Sequence, residues 1–140
     1  AVTFGDVRFL MTGDAGNVGY GAESEMIRRF FSPRKKEPLA ELNADILKVG
    51  HHGGPWGTTE PFLAAVDPEV AVIAVGRGKR VGLPALATLH RLRNAGIDTY
   101  RNGLHGTVVI RTDGRTYDIE VEKEPDPERI FREAPAEERR

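Results

Sequence analysis

Apolar positions along this chain alternate between strand and helix spacing. Residues 1–4 and 7–12 read as strands, and Gly5-Asp6 between them predicts a hairpin. Met26, Ile27 and Phe30 fall on one face of a helix over about 22–31, which Pro33 ends. Residues 32–41 form a polar, basic loop, and 45–49 a short strand. Thr58 or Thr59 is placed to N-cap a helix with Pro61 in its first turn, ending at Asp67-Pro68. Residues 70–75 are an unbroken apolar run, which predicts a strand buried on both faces. A helix starting at Pro84 turns Leu86, Leu89 and Leu92 inward, and Gly96 stops it as a C′ residue followed by apolar Ile97. Residues 97–100, 107–112 and 116–121 are strands, with Asp113-Gly114 as a tight hairpin between the last two. Alternating strands and helices that close on an antiparallel pair predict an α/β fold, a mixed sheet with flanking helices.

The pattern weakens near residue 121. Residues 122–140 carry 5 of the 20 cationic and 7 of the 21 acidic side chains, but only two large apolar ones, Ile130 and Phe131. That stretch predicts a charged, Pro-containing tail, mostly disordered or holding one short helix, after a body over 1–121. The formal net charge of −1 excludes a globally basic nucleic-acid binder while leaving room for local basic patches. Zero Cys excludes disulfides, zinc ribbons and a thiol nucleophile, so a metal site must use His, Asp or Glu. No apolar run approaches the roughly 18–20 residues that span a bilayer. The chain opens on Ala1 within strand-like sequence, and this reads as a piece of something longer.

Candidate chemistry collects where predicted strands end. Asp14, in Met11-Thr12-Gly13-Asp14, either presents a carboxylate to a cleft or caps the following loop. His51 and His52, followed by Gly53-Gly54, form an uncommon pair, and neutral imidazole is a common ligand for zinc, manganese or iron. On extended backbone neighbouring side chains point apart, so one His is expected at a metal and the other beside it. Asp14 with His51 and His52 makes a half-site for a hydrolytic cation, the alternative being a polar loop. The glycine-rich 13–21 stretch matches no phosphate-loop spacing and reads better as a flexible active-site loop. Arg77, Lys79 and Arg80 lie on a glycine-containing loop that either contacts substrate phosphates or is simply solvated, and His105, at a strand boundary, joins them as a candidate. Arg28, Arg29, Arg34, Lys35 and Lys36 read as a solvated face, and His90 as a surface histidine.

The order of these motifs closely resembles the C-terminal half of the metallo-β-lactamase-fold domain of ComEC-type DNA-uptake competence proteins and their stand-alone hydrolase relatives. The resemblance runs over about 1–121 and rests on 9–14, on 47–53 (Lys48-Val49-Gly50-His51-His52-Gly53) and on 61–76. It implies half of an αββα sandwich and metal-dependent hydrolysis of a phosphodiester. It implies Asp14 and His52 as catalytic residues and Asp14, His51 and His52 as ligands of zinc or manganese, with two cations in the complete domain. The implied partners are the N-terminal half of the same domain and single-stranded DNA or another phosphodiester, in a bacterial parent that is membrane-anchored or a soluble relative. The chain departs from the pattern in four places. The His-x-His-x-Asp-His motif belongs to the N-terminal half and is absent here. Leu83 stands in Gly82-Leu83-Pro84 where Gly-His-Pro is usual, Asn102-Gly103 replaces Thr-Asp, and Gly54 replaces Ser. These departures keep open a catalytically degenerate domain with a structural or nucleic-acid-binding role.

Overall fold

The computed structural model describes residues 1–16, 21–30, 42–76 and 82–132. Gly5 and Asp6 turn the chain between β1 (Val2–Phe4) and β2 (Val7–Met11), which pair antiparallel as the sequence predicts. Three further strands, β3 (Ile46–Lys48), β4 (Val70–Ile73) and β5 (Asp98–Arg101), lie parallel to β2. The sheet order is β1-β2-β3-β4-β5. Between the strands run α1 (Ala22–Phe30), α2 (Glu60–Val66) and α3 (Leu86–Asn94). A one-turn helix α4 (Asn102–His105) leads from β5 into the hairpin of β6 (Val108–Thr112) and β7 (Tyr117–Val121). The chain is thus a mixed α/β fold.

Side-chain alternation divides the sheet into two buried faces. Leu47, Ala71 and Ile73 point to one face, where Phe62, Leu63 and Val66 of α2 and Leu89 and Leu92 of α3 cover them. Val7, Ile46 and Val70 point to the other, where Ile110, Tyr117 and Ile119 of the hairpin pack. The apolar run at 70–75 is therefore buried on both sides, although its strand ends at Ile73. Helices lie on one face of the sheet and a second, two-stranded sheet on the other.

Some local expectations shift. Leu86 opens α3 and stays 38% exposed, whereas Leu89 and Leu92 are fully buried. Gly96 does end the helix: its N–H donates to Arg93 O (3.0 Å) and that of Ile97 to Leu92 O (3.2 Å), with φ +70 at the glycine. Between β6 and β7 the turn spans 113–116 instead of two residues, because Asp113 Oδ1 accepts the N–H groups of Arg115 (2.8 Å) and Thr116 (2.9 Å). Within the C-terminal stretch, α5 (Pro127–Ile130) is capped by Asp126, and Phe131 packs on the helical core. The Arg101 guanidinium draws this segment in by donating to the carbonyls of Arg129, Ile130 and Arg132.

Candidate functional site

Parallel strands deliver their following loops to one edge of a sheet, and the chemistry-bearing motifs of this chain sit at that edge. After β2, Ala15 N–H donates to Thr12 O and Thr12 Oγ1 to Lys48 O, both at 3.0 Å. After β3, the 3-10 turn Gly50–Gly53 carries both histidines. His51 N–H donates to Gly13 O at 3.0 Å, stapling the two loops together. The fit demands glycine at 50, where a Cβ would collide with the Ala15 carbonyl.

His51 and His52 both adopt left-handed backbone, with φ of 45° and 55°. Each such residue costs about 1–3 kcal/mol unless its surroundings impose the conformation. Here they do: Gly54 N–H donates to His51 O (2.9 Å), Ala85 N–H to Gly53 O (2.8 Å), and Thr88 Oγ1 to Gly54 O (2.9 Å). Because the segment is a turn and not extended, the adjacent rings sit 6.5 Å apart.

Of the two, His52 is the one that reaches Asp14. Its Nδ1 lies 2.6 Å from Ala74 O. A carbonyl only accepts, so Nδ1 carries the proton and in the neutral ring the Nε2 lone pair is free. That Nε2 faces Asp14 Oδ1 at 3.6 Å. The separation exceeds a direct hydrogen bond. It suits shared coordination, since two donors about 2.0–2.2 Å from one tetrahedral cation stand about 3.4 Å apart. Among the described residues no group of three His, Cys, Asp or Glu side chains converges. His51 is exposed beside His52.

The other expected residues fall elsewhere. His105 is only 3% exposed: its Nδ1 accepts Arg101 N–H at 3.0 Å and its ring packs on Tyr100. Leu83 packs against the core, and Pro84 abuts Gly53 of the histidine turn. Arg77, Lys79 and Arg80 lie outside the described residues, as do Arg34, Lys35, Lys36 and much of the glycine-rich stretch. Arg28 and Arg29 both pair with Glu25 at 2.8 Å and hold its carboxyl down at about 2. His90 is exposed, as its position predicts.

Three residues that sequence reasoning passed over shape the loop after the histidines. Glu23 of α1 is completely buried. It accepts from Thr58 N–H, Thr59 N–H (3.0 Å) and Thr59 Oγ1 (3.1 Å). Arg91 of α3 donates to the carbonyls of Pro55 (3.2 Å), Gly57 (2.8 Å) and Thr58 (2.9 Å). Between these clamps Trp56, the sole tryptophan, is 67% exposed. Glu23 reads in sequence as an ordinary first-turn acid, and nothing local pairs it with a loop more than thirty residues away.

No known family profile matches the chain. It is 31% identical over 111 residues to ComE operon protein 3 of Bacillus subtilis (strain 168), an overlap of 79% of this chain and 13% of that protein. Recombination protein 2 of Haemophilus influenzae is 35% identical over 65 residues, 46% of this chain and 8% of its own length. Competence protein ComA of Neisseria gonorrhoeae is 30% identical over 107 residues, 76% of this chain and 14% of its own length. The chain is therefore homologous to a short segment of much longer competence and recombination proteins.

Proposed function

We propose that this chain is the C-terminal half of a metallo-β-lactamase-fold domain of the ComEC type, and that it serves metal-dependent hydrolysis of phosphodiesters, DNA above all, in DNA uptake. The observation that carries the reading is the Asp14–His52 pair, set 3.6 Å apart at the loop edge of a parallel sheet with one imidazole tautomer selected. Homology to competence proteins over most of the chain agrees with it. Asp14 and His52 would hold a zinc or manganese ion, with His51 alongside and the remaining ligands supplied by the N-terminal half. A cation so placed supplies Lewis-acid polarisation of a phosphoryl oxygen and acidifies a water. This chain's share is orientation. Ala74 O holds the His52 ring, the Gly13–His51 hydrogen bond keeps both loops in register, and the Asp14 carboxylate offsets cation charge.

In the parent protein, Asp14→Ala and His52→Ala are each expected to lower metal content and to cut DNA cleavage by more than about a hundredfold, beyond the loss typical of an outer partner. Unchanged metal content and turnover in both variants would sink the assignment. Leu83 favours a second reading, because it fills core space where a polar residue is usual in this domain and offers neither a ligand nor a proton. On that reading the unsubstituted protein binds DNA without cleaving it, whatever cation is added.

A further inference from the structure

Loop 54–59 is held more tightly than a connection between a turn and a helix requires. Thr88 fixes the carbonyl of Gly54, Arg91 those of Pro55, Gly57 and Thr58, and Glu23 the N–H groups of Thr58 and Thr59. Thr58 is strained as well, at φ +52. Of the four non-glycine residues with positive φ among those described, three fall within 51–58, the segment that carries both the histidine turn and this loop. Strain and clamping together preset a conformation, which lowers the entropy a ligand must remove on binding. What the loop presents is Trp56, which is 67% exposed.

The position of the ring matters as much as its exposure. Trp56 follows two residues after Gly54, which packs on His51, and a side chain at Gly16 would meet the Trp56 carbonyl at 3.7 Å. Trp56 therefore belongs to the same loop cluster as Asp14 and His52. A rigid, flat, apolar face on the loops that carry the proposed cation site fits a ligand that pairs a flat ring with a phosphate, the cation meeting the phosphate.

We propose that Trp56 is a stacking platform for an unpaired base of a nucleic-acid strand that runs past the Asp14–His52 pair. The proposal rests on the phosphodiester reading and narrows its substrate to a single strand, because bases within a duplex already stack on each other. Recognition by stacking is tolerant of sequence, since every base has a π-face.

The sole tryptophan makes the test direct. Oligothymidylate of about ten nucleotides, within the usual site size for single strands, is titrated into the chain in excess chelator. Saturable quenching of the indole fluorescence is expected, and an abasic strand of equal length and charge should bind far more weakly. By anisotropy of a labelled strand, Trp56→Ala should weaken binding about tenfold, while Trp56→Phe, which keeps a flat ring, should lose about threefold or less. Melting temperatures of both variants show that each is folded. Equal affinity for thymidylate and abasic strands, or a Trp56→Ala affinity equal to that of the unsubstituted chain, overturns the proposal. Cation uptake measured without oligonucleotide reports on Asp14 and His52 alone, so failure of the metal reading and failure of the stacking platform are told apart.

Discussion

At His52 two constraints act on one ring: a left-handed backbone aims it, and the Ala74 carbonyl selects its tautomer. The His-His-Gly-Gly motif and the strand-end aspartate were legible in sequence because those residue types in that order are uncommon. Which histidine meets Asp14 was not, since the answer depends on the sign of φ at two consecutive residues. Gly50 is the position on which the arrangement turns. Gly50→Ala places a methyl group against the Ala15 carbonyl, and the loops bearing Asp14 and His52 must part. A destabilisation of about 1–3 kcal/mol is expected, as for overpacking elsewhere. In the parent protein, metal affinity should fall while Asp14 and His52 remain in the sequence. Metal titration together with urea unfolding checks this, and an alanine variant with unchanged cation affinity would show that the close approach does not set the site.

At the scale of elements, helices and strands were read correctly where period and punctuation agreed. The Schellman end of α3 is an example, written in sequence as Gly96-Ile97. The start of α2 shows where such reading stops. Thr59 sits at the N-cap position, yet its hydroxyl makes no cap bond and donates to Glu23 of α1 instead. The helix start is thus held from outside: a carboxylate from another helix accepts the N–H groups of Thr58 and Thr59, just ahead of α2. Because Glu23 is fully buried, Glu23→Ala leaves those donors without their acceptor inside the fold. A loss of about 3 kcal/mol is expected from the urea midpoint, with Glu23→Gln milder because its carbonyl still accepts. The surface pairs of Glu25 behave differently. Its carboxyl titrates at about 2, below the ordinary 4.5, so the contribution to α1 is complete above the ordinary value and disappears only as pH falls through about 2. Resolving the Glu25 carboxyl by NMR should place its midpoint far below that of an isolated glutamate. Screening in water keeps the energy of these exposed pairs small.

Across the whole molecule, the five-stranded sheet is covered by helices on one face and by the β6–β7 hairpin on the other, and the two coverings differ in kind. The helical face is sealed by fully buried side chains such as Phe62, Leu89 and Leu92. On the hairpin face, Ile110, Tyr117 and Ile119 are only partly buried, so fewer apolar contacts hold that layer. Two polar ties supplement them: Asp6 N–H to Gly114 O at 2.7 Å, and Tyr117 Oη to Glu69 Oε2 at 2.6 Å. Partial burial and the Glu69 carboxylate push the Tyr117 phenol well above its ordinary value of 10, since its anion would be poorly solvated and face another anion. The sign follows. A raised value favours the protonated, donating form, so the tie contributes fully below pH 10 and is lost as pH rises through the folded value. Alkali should therefore loosen the hairpin layer before the helical one. Tyr117→Phe should make the hairpin amides exchange faster with solvent at neutral pH, and should remove the late-ionising tyrosinate from an absorbance titration. Hairpin amides whose protection matches that of β3 and β4 in both proteins would show that apolar packing alone carries this layer.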